Sequence, residues 1–170
     1  MNLEQYTKDA YRTVSQNIHV DKVGISDLIS TMSQYELYGT IMDDQKKALF
    51  YGKYDFLPSG DEDCTEVVNK IDNDTLHGIM GIATESTELV QLLLKTLAYN
   101  DKFDRVNLSE EIGDIMWYIA LLCTANDLSL ENIMQQNINK LKLRYPEKFT
   151  EEHANIRDLK KERKFLEQTT

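Results

Sequence analysis

The chain has 170 residues, of which 41% are hydrophobic and 28% charged, the size and composition of one ordinary globular domain with a single core. Its 29 acidic residues against 19 basic ones leave a net charge of -10, which repels nucleic acid, while the apolar content is too high and too periodic for disorder. The excess acid is therefore either a solvated surface or a site that collects cations.

In chain order, the opening MNLEQYTKDA has no apolar signal region, and Leu3, Tyr6, Ala10 and Val14 recur at helical spacing. Ile25, Leu28, Ile29, Met32 and Tyr35 predict a second amphipathic helix, and Lys46 to Tyr51 a third, short one. Gly52, Pro58, Ser59, Gly60 and the acids Asp61 to Asp63 read as an exposed loop. A strongly helical pattern runs from about Asp74 to Tyr99, and the polar stretch Asn100 to Arg105 breaks it. Asn107 with Glu110 three residues later has the form of a capping box, opening a helix to about Ala125. Its apolar run Ile115 to Cys123 is too short to span a bilayer. Asp127 to Ser129 is a connector, Leu130 to Leu143 forms the next helix, and Pro146 stops it. The tail beyond Phe149 is charged and has little to bury. Seven Gly and two Pro favour long helices, so the expected fold is all-α, a single domain over residues 1–170. Cys64 and Cys123 are too few and too far apart for a disulfide framework or a zinc site, and reduced thiols fit a cytoplasmic address without membrane attachment.

Two helices carry acidic pairs in apolar surroundings: Glu85 and Glu88 in TESTELVQLLL, then Glu111 and Asp114 in SEEIGDIMWYIALL. Spacing of i, i+3 places both carboxylates of a pair on one helix face, roughly 5 to 6 Å apart at Cβ. Leu89, Leu92 and Leu93 on one helix, with Ile115, Tyr118 and Ile119 on the other, turn these faces toward the core. In an antiparallel hairpin the four carboxylates would meet, at a repulsion on the order of 4 kcal/mol for each pair about 4 Å apart, unless a cation joins them. Oxygen ligands without His or Cys select a hard ion, and Mg²⁺ fits best, with Mn²⁺ as a substitute. The bland alternative is a set of solvated acids, since Glu110 and Glu111 lie in a first helical turn where the macrodipole favours them. Di-iron chemistry needs Glu-x-x-His motifs, and no histidine follows any of the four acids at that spacing.

The runs LHGIMGIATESTELVQLLLK and EEIGDIMWYIALLCTANDLSLENIMQQNINKLKLRYPEKF closely resemble the MazG-like, all-α nucleoside triphosphate pyrophosphohydrolases, from about Leu76 to Phe149. The match extends more loosely to the first helix, LEQYTKDAYRT. The family signature of an ExxE pair, a spacer and an ExxD pair falls on Glu85, Glu88, Glu111 and Asp114, which the resemblance makes metal ligands and catalytic residues. It further implies substrate contacts from Lys95, Asn137, Lys140, Arg144, Tyr118 and Tyr145. A lysine near a helix end also complements the dipole, Asn137 can be a solvated position, and Trp117 and Tyr145 can be core. The implied reaction is Mg²⁺-dependent cleavage of a nucleoside triphosphate between the α and β phosphates, in a homodimer or dimer of dimers. The rival reading is an acidic helical adaptor with no metal dependence. Two departures stand out: Thr84, Ser86 and Thr87 replace the usual glycine-containing sequence, and residues 16–73, rich in tyrosine, have no counterpart in compact relatives.

Overall fold

The computed structural model of the chain describes residues 1–53 and 65–169. These residues form helices α1 (Leu3–Tyr11), α2 (Ile25–Tyr51), α3 (Thr65–Val68), α4 (Asn73–Tyr99), α5 (Arg105–Ala125), α6 (Leu130–Arg144), α7 (Glu151–Asn155) and α8 (Leu159–Thr169). The fold is all-α, as the apolar spacing and the shortage of breakers predict, with no strand among the described residues. No helix is long and apolar enough to cross a membrane, among the described residues.

Several boundaries differ from the sequence expectation for local reasons. The first helix stops at Tyr11, short of Val14, where the bonding tightens to i→i−3 turns from Thr13 and Val14, and its cap residue Arg12 donates through Nη1 to the carbonyls of Tyr145 at 3.2 Å and Glu147. The separate helices expected around Ile25 and Lys46 are one continuous α2 of 27 residues. Nothing between them breaks a helix, and the chain turns only at Gly52, whose φ of 60° is the left-handed conformation that glycine adopts without a Cβ penalty. The expected loop from Pro58 to Asp63 lies outside the described residues, as does Cys64. Helix α5 starts at Arg105 rather than at Asn107, because Asp104 is the better cap: its carboxylate accepts from the backbone N–H groups of Val106 and Asn107. Beyond Pro146 the charged tail folds into α7 and α8.

The helices fall into two compact units. In residues 21–127, α4 is central, with α2 and α5 packed against it. Leu92 and Leu94 are both buried although they lie roughly 200° apart around α4, as a helix covered on two sides requires. Small residues let the neighbours come close: Gly81 faces the ring of Tyr118, and Gly39 faces Thr87. The α4–α5 pair is antiparallel, since Thr75 at the start of α4 accepts from Asn126 just beyond the end of α5 at 2.9 Å. The α2–α4 pair is antiparallel too, with Tyr51 beside His77 and Thr40 beside Gln91.

The other unit comprises residues 1–20 and 128–170. Here α1 runs alongside α6, tied by the N-terminal amine to Glu131 at 2.6 Å and by the Tyr6 hydroxyl to Asn137 at 3.4 Å, with Ile138 fully buried. The tail does have something to bury, against expectation. Glu162 of α8 accepts a bidentate pair of hydrogen bonds from Arg144 at 2.8 and 2.6 Å and a third from Arg157 at 2.9 Å. Those hydrogen bonds, Arg144 first, hold its carboxyl down to about 2.

Candidate metal centre

Antiparallel pairing of α4 with α5 brings Glu85, Glu88 and Glu111 together, each offering a carboxylate oxygen within 4.8 Å of the others. Glu85 is 8% and Glu111 3% exposed, so two of the three are withdrawn from water. Asp114, one turn further along α5, is exposed and stands outside this group. An ion at about 2.1 Å from each oxygen needs ligand oxygens about 3 to 4 Å apart, so the observed spread accepts a cation with small side-chain closure. Two partners of these acids come from residues that the sequence did not single out for the site. Asn107, which reads as a helix cap, donates through its side-chain amide to Glu111. Lys46 of α2 places its ammonium 3.2 Å from Glu85 Oε1.

The helix α2 therefore enters the site. Lys46 also donates to Thr84 Oγ1 at 2.7 Å and to the Tyr118 hydroxyl at 3.3 Å, and it pairs with Asp43 at 3.1 Å. Asp43 is shared with Lys47. Burial alone would lower the Lys46 ammonium, but hydrogen bonds with Tyr118, Asp43 and Glu85 outweigh it and hold the group above the ordinary lysine range. No signal in the sequence marks this lysine, since an Asp-x-x-Lys-Lys run on a helix is an ordinary solvated pattern.

The acids respond in the opposite sense. Burial first, then the charge of Glu88, pushes the Glu111 carboxyl up to about 7. Glu88 is raised by burial, then by Glu85 and Asp43. A carboxyl that binds its proton more tightly in the folded chain than in the unfolded one costs stability as pH climbs from 4.5 toward about 7. For Glu111 that cost is on the order of 3 kcal/mol. The metal-free chain is thus expected to melt lower at about pH 8 than at about pH 6, with a divalent cation narrowing the difference by taking the proton's place. Melting curves with and without chelator across this range check it; a midpoint that does not fall with pH in chelator would show that the carboxyls are not crowded.

The family model for the MazG nucleotide pyrophosphohydrolase domain matches residues 57–149, more than half of the chain. The chain belongs to the MazG family. It is also 35% identical over 81 residues to the Gene 37 protein of Mycobacterium phage L5, covering 43% of this chain and 71% of that protein. No solved structure matches it.

In this MazG chain the remaining residues named from the resemblance fall in both units. Lys95 is exposed on α4, seven residues beyond Glu88, hence on the same face about 10 Å along the axis. Tyr118 is buried, its hydroxyl taken by Lys46. Asn137, Lys140, Arg144 and Tyr145 belong to the other unit. There Asn137 accepts from Tyr6, Lys140 is half-buried, Arg144 clamps Glu162, and Tyr145 is buried against Phe149 and His153. Residues 16–73, expected to be an insertion, supply α2, which both packs on α4 and delivers Lys46 to the acids.

Proposed function

We propose that this chain is a Mg²⁺-dependent nucleoside triphosphate pyrophosphohydrolase that converts a (d)NTP and water to the (d)NMP and pyrophosphate. The observation that carries the reading is the oxygen-only trio Glu85, Glu88 and Glu111, gathered on two helices of a MazG domain. Such a donor set suits a hard divalent ion, Mg²⁺ or in its place Mn²⁺. When bound, Mg²⁺ would neutralise the triphosphate and acidify a coordinated water. Glu85, Glu88 and Glu111 would hold it, and Asp114, on the same helix as Glu111 and exposed, would complete the set from the solvent side. Glu88, whose carboxyl burial already raises, is suited to accept the proton of the attacking water. Lys95, exposed on the face of α4 that carries Glu88, would meet phosphate oxygens.

Assembly into a homodimer or dimer of dimers is supported by the apolar surface of residues 21–127. Leu28, Leu37, Tyr38 and Ile41 on α2 and Ile112, Met116 and Trp117 on α5 are exposed, more than a solitary small unit normally leaves to water.

The test is to incubate the purified chain with canonical and deaminated (d)NTPs in Mg²⁺ or in chelator and to separate the products. Monophosphate and pyrophosphate in equal amounts, formed only with metal, are expected. Release of orthophosphate, or no metal-dependent turnover of any triphosphate, would sink the proposal and return the adaptor reading.

A further inference from the structure

Lys46 is chemically conspicuous because a cation has been buried where an apolar side chain would fill the space. The residue is 2% exposed and sits between three helices, held by α2 and touching α4 and α5. Four oxygens surround its ammonium: Asp43 Oδ1, Glu85 Oε1, Thr84 Oγ1 and the Tyr118 hydroxyl, at 3.1, 3.2, 2.7 and 3.3 Å. Its three protons are therefore all used, and nothing is left to reach a substrate. Withdrawing an ammonium from water is expensive unless the partners are well placed, and a methionine of similar length would fill the same space without that cost. What only lysine brings is a fixed positive charge against one of three crowded carboxylates. Asp43 takes only part of that charge, because Asp43 is shared with Lys47.

We propose that Lys46 is a positioning residue of the metal centre: an internal counter-ion, supplied by α2, that lets Glu85, Glu88 and Glu111 stand together before a divalent cation arrives and fixes the Glu85 carboxylate in place. This rests on the reading of the trio as a metal site. Two consequences follow from charge alone. The free chain carries part of the neutralising charge in itself, and a chain without Lys46 loses the share held against Glu85 and depends more heavily on the metal.

The experiment compares wild type, Lys46→Met and the double variant Lys46→Met/Glu85→Gln by thermal melting in chelator and in millimolar Mg²⁺ or Mn²⁺. In chelator Lys46→Met should melt well below wild type, and added metal should restore much of the loss, so that its metal-induced rise is about twice the wild-type rise or more. The double variant, with both charges removed, should melt above Lys46→Met in chelator. A Lys46→Met chain that is unfolded in chelator and folds on adding metal is the same result in extreme form. Equal losses with and without metal, or a chain unfolded in both, would overturn the proposal and make Lys46 an ordinary core lysine. A wild-type midpoint that ignores both Mg²⁺ and Mn²⁺ overturns the metal-centre reading itself and this role with it, whereas a wild-type rise matched by an equal rise in Lys46→Met overturns only the role of Lys46.

Discussion

Replacing Glu88 by glutamine is expected to reduce turnover by at least about a thousandfold while raising the melting midpoint of the metal-free chain. The two effects have one cause. Glu88 lies within 4.8 Å of Glu85 and Glu111, and burial together with the charges of Glu85 and Asp43 raises its carboxyl. Its ionised form is thus a liability to the empty fold and an asset once a cation is bound. Glutamine keeps the shape, removes the repulsion that each neighbouring pair contributes, on the order of 3 kcal/mol at an effective dielectric near 20, and removes a ligand and proton acceptor at the same time. Asp114→Asn is expected to reduce turnover as well but to leave the metal-free midpoint nearly unchanged, because Asp114 is exposed and outside the crowded trio. Pyrophosphate release and melting curves in chelator separate these outcomes. A Glu88→Gln protein that turns over normally would remove the carboxylates from the chemistry, and one that melts lower without metal would show that the trio is not under electrostatic strain.

Gly39→Ala is expected to cost about 3 kcal/mol of stability, near the top of the usual range for overpacking. A Cβ at Gly39 would stand 2.0 Å from Thr87 Oγ1, 2.5 Å from its Cγ2 and 2.7 Å from its Cβ. Thr87 is buried, its hydroxyl donates to the carbonyl of Ala83 at 3.0 Å, and no rotation about χ1 moves its Cβ out of the way. The helices must part instead. Lys46 lies two turns further along α2, so a shift of α2 at Gly39 also moves the ammonium away from Glu85, and activity should fall with stability. The midpoint should drop on the order of 10 °C. Gly113→Ala is the control, since a Cβ there meets nothing within 4 Å, and in a helix alanine is favoured over glycine by up to about 1 kcal/mol. Equal midpoints for the two variants would mean that α2 does not pack against α4 as closely as described.

The parts of the site that were legible in the sequence are those written in local spacing. Glu85 with Glu88 and Glu111 with Asp114 sit i, i+3 on strongly apolar helices, and a helix of 3.6 residues per turn converts that spacing into a shared face without further information. Asn107 shows where local reading misleads. Its pattern with Glu110 fits a cap, but Asp104 three residues earlier accepts two backbone N–H groups, which frees the Asn107 amide to hold Glu111.

By itself the sequence determined an all-α chain, the position of its acidic helices and its likeness to MazG proteins, because helical periodicity, breakers and short motifs act over a few residues. Only the tertiary structure decided that α2 lies along α4, that three of the four acids converge while Asp114 remains exposed, and that a lysine 39 positions before Glu85 becomes its buried partner. Those outcomes depend on how closely two helices approach, which Gly39 and Thr87 settle together across a distance in the chain that no periodicity spans.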